Sequence, residues 1–214
     1  MVSKDKYIKD PCGTLSIPYY KASRVEVPPH ISIIHNKDLT PNDLIGYSDD
    51  VYFRLYHSLK DIPKKPDIGD LDLLDATDDD TEDMVNIINA SYPDIRVTRQ
   101  QLESIKLMDV YRSELWIKIT DNYGNCVACA IGELDSEFNE LSIEWVQVLP
   151  QYRRKRLGKA LVTELLRRGK AIGAEFATVA GRINSPSQPI YLYRACGFDG
   201  DDIWHVLTKS TGKY

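Results

Sequence analysis

The chain has 214 residues, of which 43% are hydrophobic and 28% charged, with a formal net charge of −5. Those proportions are globular and exclude a disordered or collagen-like chain. No apolar run reaches the ~18 residues a membrane-spanning helix needs. Met1–Lys9 also lacks the apolar stretch of a secretory signal, so the expectation is a cytoplasmic protein with no membrane partner.

Residues 1–66 hold seven of the eleven prolines and six of the thirteen tyrosines. Helical periodicity is weak there, which predicts irregular or extended chain. The tyrosines, with Ile31, Ile33, Ile34 and Leu55, are too apolar for a free linker. The reading is an N-terminal extension, 1–66, packed through Tyr52, Phe53 and Tyr56 on a main domain, 67–214, with Asp61–Pro66 as connector.

From Ile68 onward the pattern is regular. Leu71, Leu73 and Leu74 predict a short strand. Asp80 or Thr81 then caps a helix with Met84, Val85, Ile87 and Ile88 on one side, and six acidic residues lie between Asp75 and Asp83, as suits a helix N-terminus. Tyr92-Pro93-Asp94 reads as a break. Thr98 and Gln101 have the spacing of a capping box ahead of Leu102, Ile105 and Met108.

Three strands follow, at Glu114–Thr120, Cys126–Ile131 and Leu141–Val148. The Asp121–Gly124 turn and a loop holding Asp135, Ser136 and Asn139 connect them, and connections this short imply an antiparallel meander. After Pro150 the period becomes helical: Leu157, Leu161 and Leu165, with Ala160 and Val162, mark an amphipathic helix to about Gly169. Phe176–Ala180 reads as a strand, Ile190–Ala195 as a short helix closed by Gly197, and Trp204–Thr208 as the last strand. The fold class is α/β with a mixed sheet and helices on both faces.

Four cysteines stand at 12, 126, 129 and 196, too few and scattered for a disulfide scaffold. Cys126 and Cys129 form a CxxC inside a strand, where residues three apart face opposite sides, and no His lies nearby. We expect core cysteines and no metal.

Charge is uneven. Residues 151–170 hold eight Lys or Arg against one Glu, a local +7 that leaves −12 on the rest. A basic island in an acidic chain points to a local anionic ligand, with no nucleic-acid partner. The island sits where strand passes into helix: Val146-Gln147-Val148-Leu149-Pro150-Gln151-Tyr152-Arg153-Arg154-Lys155-Arg156-Leu157-Gly158-Lys159-Ala160. The first N–H groups of a helix have no intrahelical acceptor and lie at the positive end of its dipole, so they cradle phosphate. Gly158 permits close approach to the backbone, and Arg and Lys side chains add charge-assisted hydrogen bonds. A nucleotide is a rival ligand, but neither Gly-x-x-x-x-Gly-Lys-Ser/Thr nor Gly-x-Gly-x-x-Gly is present.

This run resembles the acyl-CoA signature of the GNAT superfamily of N-acetyltransferases, Val-x-Pro-x-Tyr-Arg followed by Gly-x-Gly/Ala. Val148, Pro150, Tyr152, Arg153 and Gly158 match, while Arg156 stands where the family has its first glycine. Ile190-Tyr191-Leu192-Tyr193-Arg194-Ala195-Cys196-Gly197-Phe198 resembles the family's C-terminal Leu-Tyr-x-x-x-Gly-Phe motif. Asn184, nine residues before Tyr193, resembles its cofactor-touching asparagine at about two residues more than the usual spacing.

The resemblance implies a central, mostly antiparallel sheet flanked by helices, and acetyl-CoA as acyl donor. It implies direct transfer to a primary amine on a small molecule, peptide or protein, by a monomer or homodimer. The cofactor contacts it implies are Gln147, Val148, Arg153, Arg154, Lys155, Arg156, Leu157, Gly158, Lys159, Ala160, Asn184 and Tyr193. Val148 supplies a main-chain oxyanion donor and Tyr193 an acid for the departing thiolate. For the base, Glu144 stands four residues before Val148, on the same face by strand alternation; Glu133 and His205 are the other readings. The rival from another class is a CoA-binding module without turnover.

Overall fold

The computed structural model describes residues 2–91 and 96–209; the expected break at Tyr92-Pro93-Asp94 lies outside them. In chain order the elements are α1 (Lys4–Lys9), α2 (Pro11–Thr14), α3 (Tyr19–Ala22), β1 (Ile31–His35), β2 (Tyr47–His57), β3 (Asp72–Asp75), α4 (Thr81–Ser91), α5 (Arg99–Ile105), β4 (Trp116–Thr120), β5 (Cys126–Asp135), β6 (Glu140–Val148), α6 (Leu157–Ala171), β7 (Phe176–Arg182), α7 (Pro189–Ala195) and β8 (Asp199–Lys209). By contact the chain divides into two units, one joining Met1–His57 to Thr178–Arg194 and the segment from Phe198, the other Ser58–Ala177 with Ala195–Gly197.

In the first unit the strand order is β1-β8-β2-β7. β8 is antiparallel to β1 on one edge, with Ile33 opposite Val206. On its other edge it is antiparallel to β2, with Tyr52 opposite Trp204. The Pro-rich N-terminal stretch thus contains three short helices and two strands that periodicity did not reveal. The cause is visible at Arg54, 1% exposed. Its guanidinium donates to the carbonyls of Pro11 (3.0 Å), Leu15 and Ile17 (2.8 Å) and to the Tyr7 hydroxyl (2.8 Å). The Leu15 and Ile17 carbonyls, and the Pro11 carbonyl that also accepts from the Leu15 N–H, meet one side chain 37 to 43 residues away, a pairing no local pattern encodes.

The second unit carries the antiparallel meander in the order β6-β5-β4-β3. Thr98 and Gln101 form the expected capping box, the Thr98 hydroxyl accepting from the Gln101 N–H at 3.2 Å and the Gln101 side chain accepting from the Thr98 N–H at 2.8 Å. One sheet face packs against α4 and α5: Met84, Val85, Ile87, Ile88 and Leu102 meet Trp116, Cys129 and Ile131 in one buried cluster. At roughly 1.5–3 kcal/mol per buried large side chain, that cluster fixes both helices to the sheet.

Two local expectations change. Thr120 pairs with Cys126 but Ile119 pairs with Ala128, so Val127 is an extra residue in β5. The bulge cancels one step of alternation, and Cys126 packs on the same cluster that holds Cys129. Burial pushes the Cys126 thiol up to about 11, and both cysteines are free thiols. The helix expected to end near Gly169 runs to Ala171. Gly169 does not stop it, because its role is contact: a Cβ there would lie 2.6 Å from the Leu141 side chain.

Deleting residues 1–57 strips β8 of both its partner strands and leaves two open edges. The expected product is insoluble, and a monodisperse, cooperatively melting 58–214 fragment would overturn this. Arg54→Ala leaves buried carbonyls unsatisfied and is expected to cost about 3 kcal/mol in chemical denaturation.

Candidate active site

The second unit brings the predicted loop residues together. β6 ends at Val148, residues 150–152 make one 3-10 turn, and α6 begins at Leu157. The ladder to β5 extends one step past the strand, the Leu149 N–H donating to the Val127 carbonyl at 3.0 Å. With Val148 opposite Ala128, alternation of antiparallel pairs turns the Val148 N–H and carbonyl away from β5, in the plane of the sheet. The carbonyl accepts from Arg153 Nε at 3.1 Å.

Arg156, at the family's glycine position, has φ 64° and ψ 11° and caps α6 without any side-chain hydrogen bond to the helix. It adopts the left-handed conformation that glycine would take, as does Arg154 at φ 65°. The Arg156 carbonyl accepts from the Ala160 N–H at 3.0 Å, which leaves the N–H groups of Leu157, Gly158 and Lys159 without intrahelical acceptors. Around them stand Arg153, Arg154, Lys155, Arg156 and Lys159, with no acidic residue between 153 and 159. The first three of these side chains and Arg156 are exposed, while Leu157 and Ala160 are buried and anchor the turn. A helix N-terminus with open donors and exposed cations around it has the features that favour an anion.

Glu144 lies on β6, but alternation does not place it beside Val148. Trp145 pairs with Ile131 and Ile143 with Gly132, so Glu144 is the extra residue of a β-bulge. The Ser142 hydroxyl, on the strand position opposite Glu133, donates to Glu144 Oε1 at 2.5 Å. Glu144 thus shares its face with Glu133, whereas Val148 stands over Ala128 on the other. Glu133 is 2% exposed. Burial first, and the Glu144 charge second, push its carboxyl up to about 9. At neutral pH Glu133 therefore holds a proton.

The other predicted residues belong to the first unit. Tyr193, 7% exposed, packs its ring against Phe53 and Phe198 at centroid distances of 6.1 and 5.7 Å. The Phe198 N–H bonds back to the Tyr193 carbonyl at 3.1 Å, and Gly197 is left-handed at φ 91°. These are the features of a Schellman helix terminus, so the Gly-Phe of the motif has a backbone explanation of its own. Asn184 is exposed in the turn between β7 and α7. His205 has both ring nitrogens engaged, Nδ1 with Asp49 at 2.8 Å and Nε2 with Asn36 at 3.1 Å, the arrangement of a structural histidine.

Sequence reading missed Ser142, and it missed Asp121, which accepts from the Tyr152 hydroxyl at 3.0 Å. Asp121 was visible as a turn residue; its link to Tyr152 joins positions 31 apart and leaves no local signal. Among the described residues no His/Cys/Asp/Glu group is arranged to hold a metal, and no helix is long and apolar enough to cross a membrane.

The Acetyltransferase (GNAT) family model matches residues 81–198, more than half of the chain. No curated protein matches the sequence. Among solved structures, a GCN5-related N-acetyltransferase from Sphaerobacter thermophilus is 16% identical, with a TM-score of 0.72 over 83% of this chain and 58% of that one. A putative GNAT-family acetyltransferase from Novosphingobium aromaticivorans is 18% identical, with a TM-score of 0.56 over 87% and 71% of the two chains. A GCN5-related N-acetyltransferase from Kribbella flavida gives 16% and 0.56 over 86% and 61%. At such identities the likeness is one of fold, and the present chain spans only 58% of the length of the Sphaerobacter protein.

Two outcomes are expected here. Arg156→Gly relieves a left-handed side chain worth ~1–2 kcal/mol, partly offset by the entropy of glycine, so urea denaturation should show a gain of about 0.5–1 kcal/mol. Because the folded state binds the Glu133 proton more tightly than the unfolded chain, Glu133 lowers stability as pH rises from its unfolded value, ~4.3, towards about 9. Glu133→Gln should flatten that decline, so that its melting temperature exceeds that of the parent at pH 8 and not at pH 4; an unchanged pH slope would refute the assignment.

Proposed function

This chain belongs to the acetyltransferase (GNAT) family, and from that premise we propose that it transfers an acetyl group from acetyl-CoA directly to a primary amine on a small molecule, peptide or protein. The observation that carries the reading is the start of α6: three unbonded N–H groups and five cations, reached through a left-handed Arg156.

Acetyl-CoA supplies an activated acyl carbon and a thiolate leaving group. The N–H groups of Leu157, Gly158 and Lys159 bind its diphosphate, and Arg153, Arg154, Lys155, Arg156 and Lys159 neutralise the charge. Gln147, Ala160 and Asn184 complete the assigned contacts, on the strength of the family signature. The Val148 N–H, not spent on β5, donates to the oxygen on which negative charge develops.

An amine nucleophile near pKa ~10 has to lose a proton before attack. Glu144 takes it; the Ser142 hydroxyl, donating to Oε1, holds that side chain in place, and burial keeps the neighbouring Glu133 protonated. Tyr193 supplies the proton to the departing sulfur, a role that rests on the Leu192-Tyr193 motif and on the ability of a phenol near pKa ~10 to protonate a thiolate.

The test has three parts. CoA should raise the melting temperature where ATP and NAD do not. Thiol release across aminoglycosides, polyamines, amino acids and N-terminal peptides should reveal turnover; CoA binding with no release for any amine would leave a binding module. Tyr193→Phe and Glu144→Gln should each slow transfer at pH 7 by about 10²-fold with CoA affinity retained, and unchanged turnover would remove the residue concerned from the mechanism.

A further inference from the structure

The loop that begins α6 contains two left-handed arginines, Arg154 and Arg156, and backbone of that kind persists only where its surroundings over-determine it. One of its restraints is a ladder bond to β5 and another is local. The Leu149 N–H bonds to Val127, and Arg153 folds back onto the Val148 carbonyl. A third comes from the turn of the β4–β5 hairpin. At the turn between β4 and β5, Asp121 accepts from the Tyr152 hydroxyl at 3.0 Å through Oδ2.

That carboxylate is itself immobilised. Its Oδ1 accepts from the N–H groups of Tyr123 and Asn125, each at 3.0 Å, and the Asn125 side-chain amide lies 3.1 Å from both oxygens. The Asp121 N–H bonds to the Asn125 carbonyl at 3.0 Å, and the Gly124 N–H to the Asp121 carbonyl at 2.9 Å. The Asn125 amide first of all, with the turn N–H groups, holds the Asp121 carboxyl below the ordinary range, so it is an anion at neutral pH. Next along the loop, Lys155 Nζ stands 5.0 Å from the centroid of the Tyr152 ring. The chain from Asn125 through Asp121 and Tyr152 to Lys155 therefore runs from a rigid hairpin turn into the cationic loop.

We propose that Asp121 is a positioning residue for the diphosphate loop: through Tyr152 it holds residues 153–156 in the left-handed path that opens the α6 N–H groups to CoA. The proposal rests on the acetyl-CoA reading above. Asp121 touches no ligand itself; it pre-organises the site, so that the ordering cost falls on folding and not on binding.

Calorimetric titration of the full chain with CoA tests it. Asp121→Ala and Tyr152→Phe should each weaken binding about tenfold, the order expected for a hydrogen bond to a charged group. The double variant should lose no more than either single one, since both remove the same link. Asp121→Asn, whose amide oxygen can still accept from Tyr152, should restore most of the affinity. With any amine that turns over, KM for acetyl-CoA should rise in the Ala and Phe variants while kcat at saturation stays unchanged. If Asp121→Ala does not fold, Tyr152→Phe, which keeps the ring, carries the test. Parental CoA affinity in folded Tyr152→Phe, or additive losses in the double variant, would overturn the proposal alone. Failure of the parent protein to bind CoA would overturn the acetyl-CoA reading and the proposal with it.

Discussion

The site depends on one constraint: the first turn of α6 receives no side-chain cap. A helix N-terminus in a folded protein ordinarily satisfies its orphan N–H groups with a Ser, Thr, Asp or Asn side chain. Here the capping position holds a left-handed arginine, and every charged neighbour from 153 to 159 is a cation. The N–H groups receive no side-chain cap, and the adjoining like charges repel one another. Folding can carry that cost because the helix is anchored elsewhere. Leu157, Ala160, Leu161 and Leu165 are buried, Gly169 lets the helix close onto Leu141, and Glu164 draws in Arg167 and Arg168.

The same economy governs the carboxylates. Glu164 shows what burial does when cations are at hand: desolvation acts to raise its carboxyl, yet hydrogen bonds from Arg167 and Arg168 outweigh it and hold the group at about 2. Glu133 lacks any such offset strong enough to reverse its burial and moves the opposite way. Two buried glutamates in one unit therefore differ in protonation at neutral pH. One is a fixed ion-pair partner and the other a proton holder beside Glu144, a contrast set by environment and not by residue type.

The N-terminal segment belongs to the sheet and not to a loose appendage. β2 lies between β7 and β8, and Arg54, projecting from β2, gathers the carbonyls of residues 11–17 around itself. A buried cation with main-chain partners ties the short helix α2 and the segment after it to β2.

The order of strands and helices from residue 72 to 209, the antiparallel meander and the basic strand-to-helix turn were all legible from sequence. Each rests on local pattern: alternation, 3.6-residue periodicity, capping residues and a basic run between strand and helix. What tertiary structure alone decided is whatever a one-residue insertion or a distant partner controls. The bulge at Val127 put two cysteines on one cluster, and the bulge at Glu144 moved a carboxylate to the face opposite Val148, because each extra residue reverses an alternation that sequence reading must assume unbroken. Arg54 and the Tyr152–Asp121 link join residues 31 to 43 positions apart, and such contacts exist only once the chain has closed, since no local preference selects the partner.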